Sequence, residues 1–542
     1  MAQFEEVSKK SELHPKPVGM VQQYGTAGFR THADHLDHVM FRMGLLAALR
    51  SRNTKATIGV MVTASHNPEE DNGVKLIDPM GEMLTPVWEV YATRLANAEQ
   101  DHLLTVLEDI IEKESIDLTQ EAHVFVGKDT RSSSARLSEA VLDGVTALRG
   151  HSKDYGLVTT PQLHYMVCCC NTQGEYGQAS VEGYYHKLLQ AFAELTKYVP
   201  NRTDDQKCLL VDGANGIGAL KLRELVPRLQ GELLVSLFCD STSGKLNHQC
   251  GADFVKVQQK SPKGIDMKAG DRCCSFDGDG DRIVYYYSDA EGHFHLLDGD
   301  KIATLISTFL KELLTQAGLD LNMAVVQTAY ANGSSTRYLQ DTMKLIVKCT
   351  KTGVKHLHHV AQEFDIGVYF EANGHGTVLF SKVLEEKIRQ LCKDSDGERR
   401  RVATLLKNSV DLINQTVGDA ISDMLLIEAI LAIRGMTVQQ WDAIYTDLPN
   451  RQLKVKVSDR RVIETTDAER KTVSPAGLQE AIDGLVEKHR QGRSFVRPSG
   501  TEDVVRVYAE AETQESADAL AHEVSLAVYR LAGGVGGEPK PL

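Results

Sequence analysis

No apolar run in this chain approaches the length of a membrane span, so an integral membrane protein is not expected. The amino-terminal segment MAQFEEVSKKSELHPKP has no apolar core, which argues against an export signal. Cysteine is scarce, ten in 542 residues, and too sparse for a disulfide scaffold. Cys168–Cys170 and Cys273–Cys274 are adjacent runs without the C-x-x-C pairs of a zinc site, and they read as reduced, buried small hydrophobes in a cytosolic protein. Positive charge is also in deficit. A formal net charge of −14 excludes a general nucleic-acid binder, although a locally basic cleft could still take small anions. No G-x-x-x-x-G-K-[ST] run is present, which removes the common nucleoside triphosphatase reading.

What remains is a soluble-protein composition, 42% hydrophobic and 25% charged, on a chain too long for one ordinary core. Strand-like runs alternate with helical patterns, the mark of α/β layers. ATIGVMV runs into TASHNP, HVFVG into KDTRSSS, KCLLVDG into ANGIGALKLRELVPRL, and MAVVQTAY into ANGSSTRYLQDTM. Three α/β domains of similar build are expected over 1–178, 179–300 and 301–440. The last segment, 441–542, changes to period-two strands around two helices, a small α+β domain. Leu478, Ile482, Leu485 and Val486 form one helical face, and Val524, Val528 and Leu531 point inward from the last helix. The tail GGVGGEPKPL reads as disordered.

Two motifs carry the chemistry. DGDGDR places Asp277, Asp279 and Asp281 at alternate positions between glycines. Three close carboxylates repel unless a cation neutralises them, and oxygen-only donors favour Mg²⁺ or Ca²⁺ over zinc. A calcium EF-hand fails, because Arg282 and Ser288 stand where glycine and glutamate are needed. TASHNPEEDN puts the hydroxyl of Ser65 on a polar loop after a buried strand. Such a hydroxyl needs activation to be a nucleophile, and the adjacent His66 is a candidate.

Further along, RPSGTEDVVR supplies Arg497, Pro498, Ser499, Gly500, Thr501 and Arg506, a set suited to clasping phosphate. FEANGHG mixes Glu371, Ala372, Asn373 and His375 with glycines, which suits sugar hydroxyls and amides. TKTGVKHLHH could reach a sugar phosphate through Lys351 or Lys355. Its histidines, His356, His358 and His359, lack a fourth zinc ligand. DGANGIGAL, with Asp240 closing the next strand, imitates a dinucleotide fingerprint, but its glycines are in the order G-x-x-G-x-G.

The four motifs TASHNP, DGDGDR, EANGHG and RPSGT, in this order, resemble those of the α-D-phosphohexomutase superfamily. The resemblance implies four domains around a central cleft, three of shared mixed α/β topology and a smaller α+β carboxy-terminal one. It implies a phosphoserine at Ser65, with one Mg²⁺ held by its phosphate and by Asp277, Asp279 and Asp281. Arg282 would neighbour that phosphate. Lys75 matches a lysine proposed for proton transfer, and Arg30, in YGTAGFR, an arginine near the reacting phosphate. Glu371 and Asn373 would grip the sugar, and Arg497–Thr501 with Arg506 the non-reacting phosphate.

Asparagine in the sugar loop, where hexose enzymes carry serine, is the form seen in the N-acetylglucosamine branch. The implied reaction interconverts N-acetylglucosamine 6-phosphate and 1-phosphate through a sugar 1,6-bisphosphate, toward UDP-N-acetylglucosamine, with no obligate protein partner. A phosphatase with Asp277 as nucleophile and a non-catalytic sugar-phosphate sensor are the competing readings.

Overall fold

The computed structural model describes residues 4–229, 231–500 and 502–542. The chain divides into two compact units. One comprises Met1–Asp298, Asn373–Thr377 and Glu385–Val438, the other Gly299–Ala372, Val378–Leu384 and Gln439–Leu542.

The first unit contains two five-stranded sheets of the same design. In one, the order is Phe29–His32, Asp71–Ile77, Ile58–Val62, His123–Lys128, His151–Leu157. In the other it is Phe294–Leu297, Ile283–Ser288, Cys273–Phe276, Cys208–Asp212, Leu234–Phe238. Both run antiparallel, antiparallel, parallel, parallel across the sheet. The third strand of each is wholly buried, Ile58–Val62 and Cys273–Phe276, and reads as a continuous apolar or small-residue run because both its faces are covered. Helix Asp37–Thr54, buried along most of its length, packs with the first sheet against helix Ser134–Ala147.

A four-stranded sheet is ordered Ile346–Thr350, Met323–Thr328, Ile366–Phe370, Gly376–Phe380; all of it belongs to the second unit except the first two residues of the last strand. The second unit also carries an antiparallel three-stranded sheet ordered Asn450–Lys456, Val504–Glu510, Arg493–Pro498. Helices Leu478–Val486 and Gln514–Leu531 cover the latter, burying Leu478, Ile482, Val524 and Val528 over Val496, Val505 and Val507. Among the described residues, no helix is long and apolar enough to cross a membrane.

The topology explains why three motifs were legible as loops. TASHNP lies between Ile58–Val62 and its sheet neighbour Asp71–Ile77; DGDGDR lies between Cys273–Phe276 and its neighbour Ile283–Ser288. EANGH, 371–375, connects Ile366–Phe370 to its neighbour Gly376–Phe380. In all three sheets the strand entering the loop has two parallel strands on its other side. The loops bearing TASHNP, DGDGDR and EANGH therefore occupy corresponding positions in three versions of one motif.

Three expectations are corrected. Leu531 is 43% exposed, because it sits in the last turn, beyond the sheet that buries Val524 and Val528. Cys170 is exposed at the end of its helix, unlike its buried neighbours Cys168 and Cys169. The carboxy-terminal tail is held rather than disordered: Gly534 bridges Val457, Tyr529 Oη donates to Gly536 O at 2.7 Å, and Arg530 pairs with Glu538 at 2.8 Å.

Candidate active site

Ser65 sits at φ 51°, a left-handed conformation that a non-glycine residue holds only when its surroundings enforce it. Here they do. Ser65 N donates to Thr63 Oγ1 (3.0 Å), and Thr63 donates to the Asp129 carboxylate (2.8 Å). Arg131, fully buried and paired with Asp129 at 3.0 Å, donates through Nη2 to the carbonyls of Ser65 and Asn67, both at 3.0 Å. It also reaches the carbonyls of Pro68 and Asp71. From the other side, Asn247 Nδ2 donates to the same two carbonyls, Ser65 at 2.8 Å and Asn67 at 3.0 Å. Asp129, Arg131 and Asn247 were missed as site residues. The first two fall in KDTR, directly after the parallel neighbour of the nucleophile's strand, and that polar strand end was the available signal.

The Ser65 hydroxyl donates to Asp277 Oδ2 at 2.6 Å. Asp277, Asp279 and Asp281 are buried and converge, with one carboxylate oxygen from each lying within 4.8 Å of the others. The loop is tied down by its own amides: Asp281 N and Arg282 N donate to Asp277 Oδ1 at 3.0 and 3.1 Å. Thr160 Oγ1 donates to Asp279 Oδ2 at 2.6 Å, and Ala420 N donates to Gly280 O at 2.9 Å. Asp279 Oδ1 and Asp281 Oδ1 are buried without a hydrogen-bond partner, His375 Nδ1 standing 3.9 Å from the latter. Two orphaned carboxylate oxygens in one small buried cluster fit a hard cation.

The three carboxyls act strongly on one another. Burial and the charges of Asp281 and Asp279 push the Asp277 carboxyl well above its ordinary range. Burial would also raise Asp281, but His375, Lys75 and Arg282 outweigh it and hold that carboxyl well below its usual range. Lys75 Nζ stands 3.5 Å from both Asp279 and Asp281.

Arg30 Nη1 lies 3.5 Å from His66 Nδ1, while Arg30 Nε is buried with no partner. The charge of Arg282, then burial and Arg30, push the His66 imidazole down to about 2, so it is neutral. His66 is thus placed with Arg30, and the hydrogen-bond partner of the Ser65 hydroxyl is Asp277. Arg282 points between Asp277 and Asp253, at 4.0 and 3.9 Å. Beside the Ser65 loop a cavity of about 490 Å³ is lined by His66, Asn67, Glu70, Lys245, Asn247 and Asp253.

The residues of the EANGH loop fall in both units, Glu371 and Ala372 in the second and Asn373–His375 in the first. Ala372 O accepts from Gly299 N at 3.3 Å, while Asn373 Oδ1 accepts from His375 N at 3.0 Å. His375 Nδ1 meets Asp281 O at 2.7 Å, tying this loop to the carboxylate loop. Gly374, at φ 89°, cannot carry a side chain, since a Cβ there would fall 1.9 Å from Ile283 O.

In the second unit, Arg497 and Arg506 face each other across the antiparallel ladder, and Lys454 faces Arg506 on its other side. Like charges placed directly opposite one another across a ladder repel, and an anion would relieve this row; Glu469 lies 3.1 Å from Arg497 Nε. Lys454 was not singled out from sequence, because in KVKV it reads as an ordinary outward strand residue. Glu469 also accepts from Thr352 Oγ1 at 2.7 Å, bringing the TKTG loop to Arg497; Lys355 lies on the helix that follows, Val354–Ala361. Pro498 pairs with Val505, Ser499 N donates to Val504 O at 2.8 Å, and Gly500 O accepts from Arg460 at 3.2 Å. Thr501 lies outside the described residues. Of the three histidines considered for zinc, His358 is bonded to Tyr369 Oη at 2.8 Å.

Comparisons with known proteins cover nearly the whole chain. Phosphoglucomutase/phosphomannomutase α/β/α domain I matches residues 45–102 and 99–175, and the corresponding C-terminal domain matches 453–527. Phosphoacetylglucosamine mutase AMG1 domain II matches 177–284, and domain III matches 298–436. The Homo sapiens phosphoacetylglucosamine mutase is 68% identical over 99% of both chains. A crystal structure of Aspergillus fumigatus N-acetylphosphoglucosamine mutase in complex with GlcNAc-6P and magnesium superposes with a TM-score of 0.93 at 48% identity, covering 98% of this chain and 99% of that one. A variant of the same fungal enzyme in complex with glucose 1,6-bisphosphate gives 0.92 at 48% identity, with the same coverage.

Two five-stranded sheets of one design and a related four-stranded one bearing these loops, with a small α+β domain after them, define an α-D-phosphohexomutase. At this identity over essentially its full length, the chain belongs to the phosphoacetylglucosamine mutase family.

Proposed function

We propose that the chain interconverts N-acetylglucosamine 6-phosphate and N-acetylglucosamine 1-phosphate, with Ser65 carrying the transferable phosphoryl group. The observation that carries this reading is the Ser65 hydroxyl at 2.6 Å from Asp277, inside a buried carboxylate cluster with two orphaned oxygens. Asp277, Asp279, Asp281 and the phosphorylated Ser65 side chain would hold Mg²⁺. When bound, it would offset charge on the group in transfer.

The phosphoryl group leaves Ser65 Oγ as its bond to the sugar O1 forms, giving the 1,6-bisphosphate. After the sugar turns over, Ser65 Oγ receives the 6-phosphoryl group and the 1-phosphate departs. The clamp of Arg131 and Asn247 on the Ser65 carbonyl fixes the direction of Oγ, which in-line transfer requires. Arg30 and Arg282 are assigned to the oxygens of the reacting phosphoryl group, Lys75 to proton transfer, and neutral His66 to accepting from Arg30. Glu371, Ala372 and Asn373 are assigned to the sugar. Arg497, Pro498, Ser499, Gly500, Thr501 and Arg506, with Lys355, are assigned to the phosphate that is not reacting.

The phosphatase reading is not favoured. Both Asp277 oxygens are engaged, Oδ1 by two backbone amides and Oδ2 by Ser65.

The division into 1–178, 179–300, 301–440 and 441–542 belongs to the same reading, supported by one main sheet within each span. So do a cytosolic location and a step toward UDP-N-acetylglucosamine. The test is to incubate the protein with sugar 1,6-bisphosphate, map the phosphate by mass spectrometry, and compare kcat/KM for N-acetylglucosamine 6-phosphate and glucose 6-phosphate. Phosphate on Ser65 and a clear preference for the amide-bearing sugar are expected. Phosphate elsewhere, or full turnover by a folded Ser65→Ala protein, would sink the mechanism, and equal kcat/KM values would sink the substrate assignment.

A further inference from the structure

The glycine turn that imitates a dinucleotide fingerprint has another role. Strand Cys208–Asp212 ends in the buried carboxylate of Asp212, and the next residues turn sharply, with Ala214 and Asn215 both at positive φ, 56° and 53°. Around this turn wraps the segment 239–251. Asn215 N donates to Cys239 O (2.8 Å), Asn247 N to Ala214 O (3.0 Å), and Gly251 N to Asp212 Oδ2 (2.7 Å). The wrapped segment is the one whose Asn247 clamps the Ser65 loop.

At the two ends of this segment stand Cys239 and Cys250. Their sulfurs and a carboxylate oxygen of Asp212 all lie within 4.8 Å of one another. Cys239 Sγ donates to Lys263 O at 3.8 Å, and Cys250 Sγ accepts from Asn215 Nδ2 at 3.9 Å. Cys250 is 2% exposed, while Cys239 is partly open to solvent. We propose that Asp212, Cys239 and Cys250 form a binding site for a thiophilic divalent metal of the zinc class, separate from the Asp277–Asp281 cluster.

The donor set decides the class. Two sulfurs and one carboxylate oxygen suit Zn²⁺, at about 2.3 Å to sulfur and about 2.0–2.2 Å to oxygen, and do not suit Mg²⁺. Tetrahedral ligation at those lengths needs donor separations on the order of 3.5–3.8 Å, and the three donors already lie within 4.8 Å of one another. Asp212 retains capacity for the ion. Its Oδ1 accepts Ala214 N (2.8 Å), and its Oδ2 accepts Gly251 N and Ser275 Oγ (both 2.7 Å). That leaves one lone-pair position on Oδ1, since a carboxylate offers about four.

Binding breaks the S–H bonds of both thiols and releases two protons to solvent as two metal–sulfur bonds form. The bond from Cys239 to Lys263 O is given up as its sulfur turns to the metal. The fourth tetrahedral position goes to water on the partly open Cys239 side. No electron is transferred. Because the ligands bracket the segment bearing Asn247, an ion here fastens both ends of the arm that grips the phosphoserine loop.

The test uses the full chain, reduced and freed of metal, titrated with Co²⁺ and then with Zn²⁺. Cobalt is expected to bind with a sulfur-to-metal charge-transfer band in the near ultraviolet that zinc abolishes. The band separates this site from the oxygen-only cluster, and it should survive Asp279→Asn. Cys239→Ser and Cys250→Ser should each remove the band and weaken binding by more than the roughly 10–100-fold that outer-shell changes produce. Hydrogen exchange in 240–251 should slow when zinc is added to the wild type and stay unchanged in the variants. Should Cys250→Ser not fold, Cys239→Ser at the partly exposed position decides alone. Cobalt binding without a sulfur band, a band that persists in Cys239→Ser, or a Cys239–Cys250 disulfide that resists mild reductant would each overturn the proposal.

Discussion

A Cβ placed on Gly278 would lie 2.4 Å from the carbonyl oxygen of Ser65. The backbone of the carboxylate loop thus lies directly against the backbone of the Ser65 loop, with no room for a methyl group between them. Ser65 reaches Asp277 because Gly278 is a glycine.

Gly278→Ala should therefore separate the two loops without touching any side chain of the cluster. Overpacking of this kind costs about 1–3 kcal/mol. Since the obstruction is backbone, relief has to come from moving one loop. The expected outcome is a folded protein with modestly lowered Tm and a large loss of kcat, read by thermal melting and steady-state kinetics. Wild-type kcat in Gly278→Ala would show that the contact is not needed for turnover.

The carboxylate cluster predicts strict metal dependence. Exhaustive chelation should silence the enzyme and added Mg²⁺ restore it. Asp279→Asn removes one negative ligand, so a higher Mg²⁺ concentration should be needed for half-maximal rate, while circular dichroism stays unchanged. Activity that survives chelation would remove the cation from the reaction.

Arg131 offers a test of the support beneath the nucleophile. It is buried with Asp129 and donates to the Ser65, Asn67, Pro68 and Asp71 carbonyls. Arg131→Met leaves Asp129 without its charge partner, a loss of about 3–5 kcal/mol for a broken buried pair. Arg131→Lys keeps the charge but cannot span the separate carbonyls with one planar fork. Arg131→Lys should recover stability, measured by denaturant melting, without recovering phosphoserine formation, measured by intact mass. Equal recovery of both would reduce Arg131 to a structural role.

For the cation row, Arg497→Ala removes a charge-assisted contact worth roughly 1.5–3 kcal/mol. Both substrate orientations should use this clasp, so forward and reverse kcat/KM should fall alike. A loss confined to one direction would assign the row to a single binding mode.

Much of this was legible beforehand. Alternating Asp277, Asp279 and Asp281 announce a cation, because like charges so close in sequence need one. The buried strand before TASHNP announces a loop at a sheet end. The supporting residues were not legible. Asp129, Arg131 and Asn247 are remote from Ser65 in sequence and act on its backbone carbonyl and amide, groups that every residue possesses and no motif marks. Lys454 was hidden for a different reason: its meaning comes from cross-strand register with Arg506, which strand periodicity alone cannot supply. Leu531 misled because helical spacing continues past the point where the sheet beneath it ends.

The row of Lys454, Arg506 and Arg497 also bears on how this protein behaves in the test tube. Its mutual repulsion is relieved by any tetrahedral dianion, whether or not a sugar is attached. Sulfate or phosphate buffers should raise the melting temperature of the carboxy-terminal sheet, and at the same concentrations should compete with sugar phosphate. A buffer chosen to keep the protein stable in storage would then be the one that makes it look sluggish in assay, and chloride-based solutions would reverse both effects.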